Sequence, residues 1–132
     1  MGKQIIAVLV GVVVGIAVTA IVVTISSNLY PMPQALDRTD PEAMRQFVFE
    51  QPITAKLLML IGWMVSAFAA GLAAALLAPE GKGRTMAIYA GAILMAFGVA
   101  NAFMVPHPMW MLIIGLLQYI PLAHLGAKAA GK

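Results

Sequence analysis

The chain has 132 residues, 62% of them hydrophobic and 10% charged, with a net charge of +3. So much apolar side chain exceeds what the core of a soluble domain of this size can hide, which places the protein in lipid and excludes an ordinary globular fold. The absence of cysteine excludes structural disulfides, thiolate metal sites and thiol redox chemistry, and a small positive charge without basic runs or interleaved aromatics excludes a nucleic-acid surface.

The first apolar run, Gln4 to Ser26 behind Lys3, is ~33 Å long as a helix, enough to cross the hydrocarbon core. It exceeds the ~7 to 15 residues of a secretory h-region and lacks an A-x-A site, so it reads as a span. Gly11, Gly15 and Thr19 recur along it every four residues. Residues 27–52 then form the one sizeable polar loop. Tyr30-Pro31-Met32-Pro33 cannot continue a helix, because proline removes a donor and restrains the residue before it. Asp40-Pro41 places a capping side chain before a first-turn proline, and Thr39 with Glu42 is an alternative capping box. Ala43, Met44, Phe47 and Val48 share a face, which predicts a short amphipathic helix over about 41–49 lying on the membrane surface until Pro52. It reads as a lid over the helix ends, with a docking surface for a partner as the alternative.

The second span covers about 53–78. Gly62, Ser66, Ala70, Ala74 and Ala78 fall four apart, and small residues so spaced let another backbone approach closely. This helix is therefore expected at the centre, with Lys56 at its edge snorkelling to the headgroups. The third span, about 85–105, carries Ala87, Gly91, Leu94, Gly98 and Asn101 on one face. The fourth, about 108–127, contains Pro121, which frees the Leu117 carbonyl and predicts a kink near Gln118. His107 is expected to cap it, with Pro108 first in the helix.

With four crossings, Lys3, Lys82, Arg84, Lys128 and Lys132 fall on one side with Glu80, while the 27–52 loop holds Arg38 and Arg45, with Lys56 at its edge, against Asp37, Asp40, Glu42 and Glu50. The positive-inside rule then puts both termini in the cytoplasm and the loop outside. The fold expected is an all-α integral membrane four-helix bundle, both termini inside, with a short amphipathic outer-loop helix. Gly11, Gly15, Gly62, Ser66, Ala70, Ala74, Gly91 and Gly98 are its expected packing positions, serving either the bundle itself or homo-oligomerisation through a leftover stripe. Two helical hairpins, each entered through a proline pair, hint at a duplication.

No span contains an acidic residue, so proton or ion coupling of the kind that relies on an intramembrane carboxylate is disfavoured. The buried polar groups are Thr19, Ser66, Asn101 and Gln118, one per helix. They serve either as interhelical hydrogen bonds or as the walls of an outward-facing cavity for a neutral lipid-like or small polar ligand, with Trp63, Ser66, Asn101, His107, Trp110 and Gln118 as candidate residues and Phe97 beside them. Met104, His107, Met109, Met111 and Met32 carry ligand types suited to Cu(I). Methionine is also a common gap-filler, and no metal or cofactor is assigned. His107 and His124 lie ~25 Å apart along one helix, too far to share a haem iron. His124 pairs with Lys128 at the inner interface. Tyr30 and Trp110 fit an outer aromatic belt and Tyr89 an inner one.

The outer Y-P-x-P, the D-P-E-A helix start, Gly62-Trp63 and the Pro106-His107-Pro108-x-Trp110 turn resemble a group of small, uncharacterised bacterial inner-membrane proteins with four spans. The resemblance covers most of the chain and implies topology and a bacterial inner-membrane location, without an activity. Small multidrug transporters have similar length, but they depend on a first-span glutamate that is missing here. The expected role is a non-enzymatic accessory or scaffold protein that self-associates or joins a membrane complex, with ligand binding or transport in the cavity as the alternative. Its expected partners are membrane lipids and a second copy or another membrane protein.

Overall fold

The computed structural model describes residues 2–37, 39–104 and 107–131. Its helices are α1 (Gly2–Leu29), α2 (Pro41–Glu50), α3 (Ile53–Leu77), α4 (Gly83–Met104), α5 (Met109–Leu117) and α6 (Tyr119–Ala129). α1, α3, α4 and the α5–α6 pair are each long and apolar enough to cross a membrane, giving an all-helical, multi-pass membrane protein. The described ends of the chain and the α3–α4 turn lie at one end of the bundle, and α2 lies at the other.

Large apolar side chains point outward, among them Ile5, Leu9, Val13, Ile21, Leu76 and Phe103, while Ala7, Ala67, Ala70, Ala74, Ala87, Ala90 and Ala123 are fully buried. That inversion follows from the solvent. Lipid is as apolar as leucine, so a large side chain gains little by turning inward, whereas small ones let backbones close to van der Waals distance. α3 is central and packs on α1, α4, α5 and α6. At Gly11 an added Cβ would sit 2.7 Å from the Ala70 carbonyl oxygen and 2.9 Å from the Ala74 Cβ. At Gly71 it would meet the backbone of Ala123, and at Gly126 the Phe68 carbonyl. All eight expected packing positions turn toward helices of the same chain.

Several boundaries move. α1 continues past Ser26 to Leu29, because the stop is Pro31, which forces its predecessor out of the helix, and not the preceding serines. The Tyr30 N–H still donates to the Ser26 carbonyl at 2.8 Å. α2 is capped by Asp40, whose side chain accepts from the Glu42 N–H at 3.0 Å, and the Thr39 capping box does not form. Thr39 instead donates its hydroxyl and N–H to Asp37 at 2.6 and 2.9 Å; these bonds hold the Asp37 carboxyl below its ordinary range. The α3–α4 connection is a tight turn in which the Lys82 N–H donates to the Pro79 carbonyl at 3.0 Å, and Gly81 takes the positive φ (80°) this turn requires.

The fourth span is two helices rather than one. Pro121 has no N–H for the Leu117 carbonyl, so α5 ends at Leu117, Gln118 turns, and the Leu122 N–H resumes the pattern on the Gln118 carbonyl at 2.9 Å. Pro108 takes the N-cap position, leaving Met109 as the first helical residue. The expected third span reached Val105, which with Pro106 of the proline turn lies outside the described residues.

Candidate functional site

Below the middle of the bundle the helices pack at contact distance, and toward the α2 end close approaches persist at Gly62 against Val22 and Gly98 against Leu116 beside a wedge of open space. Gly15 holds α1 against Leu94 of α4, and beyond it Thr19, Ala20, Val23 and Ser26 of α1 line open space. Pro121 and the break at Gln118 divide α5 from α6. The wedge left between α1, α3, α4 and α5 is a cavity of about 560 Å³, within the ~300–1,000 Å³ typical of small-molecule sites.

Its wall is mostly apolar. α1 contributes Ile16 to Ser26, α3 Lys56, Met59 and Trp63, α4 Leu94 to Asn101, and the α5–α6 pair Met111, Leu112, Leu116 and Tyr119. α2 roofs it with Met44, Phe47 and Val48, and Gln51 follows. These are the residues of the amphipathic face legible in the sequence, so α2 is a lid over the cavity. Its backbone packs on no other helix. It is tied down by the Lys56 ammonium, which donates to the Phe49 carbonyl at 2.9 Å. Nearby the Tyr30 and Thr54 hydroxyls share a hydrogen bond of 2.8 Å, joining the end of α1 to the start of α3.

The cavity's lining residues Ile16, Ala20 and Val23 on α1 and Phe97 and Asn101 on α4 are exposed, and the space between these two helices is termed the portal. Along α1 the lining runs from Ile16 to Ser26, roughly 15 Å, about half the ~30 Å hydrocarbon core.

Of the six candidate residues, Trp63, Asn101 and His107 line this space. The Trp63 ring meets the His107 ring edge-on with centroids 5.5 Å apart, and its other side lies over Gly115, where an added Cβ would be 2.6 Å from the indole. Phe97 lines the portal. Ser66, Gln118 and Trp110 are not in the wall. Ser66 is fully buried below the floor, donating to the Gly15 carbonyl at 2.7 Å and accepting from the Thr19 hydroxyl at 3.1 Å. It is an α1–α3 clamp. Gln118 is buried at the helix break, donating to the Gly115 carbonyl at 2.9 Å, while its Oε1 has no partner among the described residues. Trp110 is exposed on the outside, as an interfacial aromatic is.

Met104 and Met109 are 80% and 69% exposed, so the Met104–His107–Met109 grouping is not drawn together. Met32 and Met111 do line the cavity, with Met44 and Met59, where their flexible thioethers provide a wall that adapts to its contents. Sequence reading missed Lys56 as a wall residue. Its signal was present: Lys56, Met59 and Trp63 fall at i, i+3 and i+7, one face of a helix. Tyr119 at the floor was also missed.

Ser66→Ala removes both interhelical bonds, to the Gly15 carbonyl and from the Thr19 hydroxyl, so we expect a loss of about 1–2 kcal/mol, measured by denaturant titration in bicelles, with the cavity unchanged.

Comparison of the chain with protein-family models, curated proteins and solved structures gives no match.

Proposed function

We propose that this protein binds a lipid-like molecule, taking one apolar chain sideways from the bilayer into the cavity beneath α2. The observation that supports this reading is the combination of apolar wall, a depth of about half the hydrocarbon core and exposed lining residues on the flanks of α1 and α4. A polar metabolite would gain little from such a wall, whereas an apolar chain already in the membrane exchanges lipid contacts for wall contacts of the same kind and needs no aqueous route. Binding is favoured over passage through the protein, because Leu94 and Tyr119 close the floor and Gly11, Ala70, Ala74 and Ala90 meet below it. Self-association loses its main support, since the small-residue stripes that suggested it face helices of the same chain.

The orientation that goes with this reading follows the positive-inside rule, with Lys3, Lys82, Arg84, Lys128 and Lys132 cytoplasmic and α2 at the outer leaflet of a bacterial inner membrane. The role is non-catalytic: capture and presentation of a chain. Native mass spectrometry of protein released from nanodiscs checks it. A single lipid-mass adduct that persists after annular lipid is stripped is expected, and a bare protein at every activation energy contradicts it.

A further inference from the structure

We infer that the occupant is an anionic glycerophospholipid, one of whose chains fills the cavity while its headgroup sits at the Lys56 ammonium. This rests on the binding role proposed above and adds the charge of the ligand, for which the expectation from sequence was neutral.

The first observation is a charge imbalance. Lys56 lines the cavity, and among the described residues no aspartate or glutamate does. Glu50, at the end of the loop helix, lines a separate shallow cleft with Leu29, Tyr30 and Pro31. The second is the state of the ammonium. It donates to the neutral Phe49 carbonyl in an exposed hydrogen bond, and among the described residues no carboxylate pairs with it. An ammonium has three donors, so two remain for a phosphate. Lys56 also stands in the first turn of α3, where the helix dipole and unpaired N–H groups add positive potential.

The third observation is arrangement. Lys56 lies seven residues from Trp63 on α3, about 10 Å along the axis, with the lysine toward α2 and the tryptophan deeper. Ser26, Gln51, Asn101 and His107 also line the α2-end half of the cavity, and below them the wall is Ile16, Leu94 and Leu116. A charged head above an apolar shaft is the layout of a phospholipid standing in its own leaflet. A capping role for Lys56 at the last turn of α2 is compatible with this arrangement, and the test separates the two.

Trp63 and Trp110 are the two tryptophans of the chain, so Trp110→Phe leaves a single reporter in the cavity wall. This protein is placed in phosphatidylcholine nanodiscs in which a tenth of the lipid is replaced by phosphatidylglycerol or phosphatidylcholine brominated on the acyl chain. Trp63 fluorescence should be quenched several-fold more strongly by the brominated phosphatidylglycerol; Lys56→Gln should equalise the two lipids, and Lys56→Arg should keep the preference. Equal quenching in the parent protein, or a preference that survives Lys56→Gln, overturns the anionic assignment while leaving a lipid-binding cavity in place. Absence of quenching by either lipid overturns the cavity reading itself.

Discussion

Gly71→Leu is expected to unfold the bundle, whereas Gly2→Leu leaves it unchanged. An added Cβ at Gly71 meets the backbone of Ala123, and at Gly2 it meets nothing within 4 Å. Overpacking a core typically costs ~1–3 kcal/mol when side chains can shift. Here the obstacle is main chain of α6, so relief requires moving a helix that also packs on α4. We therefore expect at least about 3 kcal/mol, beyond the side-chain range, and Ala123→Gly should not rescue it because the clash is with backbone atoms. Gly15→Ala makes a useful contrast: its obstacle is the Leu94 Cδ1 at 2.5 Å, the end of a flexible side chain, and it should be tolerated better. Denaturant titration in bicelles ranks the four variants. Comparable stability of Gly71→Leu and Gly2→Leu would mean that α3 and α6 do not approach as closely as described.

Ala20→Phe is expected to abolish lipid retention without unfolding the protein. Ala20 lines the portal and is exposed at its outer edge, so a ring placed there fills the gap between α1 and α4 and meets no backbone of the packed half. Exposed apolar surface is normal on this molecule; Ile16 and Ile21 on the same helix are 49% and 60% exposed. Stability should therefore stay within ~0.5 kcal/mol of the parent, while the lipid adduct in native mass spectrometry falls at least tenfold. An adduct of undiminished intensity would place the lipid elsewhere on the surface.

The four spans, the loop helix and its inward face were legible because each is written in local chemistry: apolar run length, the Asp40-Pro41 start and the spacing of Met44, Phe47 and Val48. The stripes of Gly62, Ser66, Ala70 and Ala74 also announced close packing, and Pro121 announced the break at Gln118. Which helix each stripe meets was not legible, because spacing shows that a backbone approaches without showing whose. That ambiguity left two uses for the stripes, and Gly71 against Ala123 shows this part of α3 packing on α6 of the same chain.

The candidate site was half legible for a related reason. Polar residues in an apolar span were read together, although Ser66 and Asn101 do opposite things. Ser66 spends its hydroxyl on the Gly15 carbonyl, whereas Asn101 lies at the portal. Their difference is depth relative to the point where α1 and α4 separate, a tertiary quantity. Lys56 was assigned to the headgroups by its position near a span end, and its bond to Phe49 depends on a fold-back of the loop helix that periodicity does not encode.

The most direct test is photolabelling in nanodiscs with a phospholipid carrying a diazirine midway along one chain, followed by mapping of the modified residues. Lipid held in the cavity should label Met59, Trp63 and Leu116, which the bundle shields from bulk lipid, at a level that saturates near one label per protein and disappears in Ala20→Phe. Labelling confined to outward-facing residues such as Ile5, Leu9 and Leu76, rising in proportion to probe and unaffected by Ala20→Phe, would contradict a lipid-binding cavity.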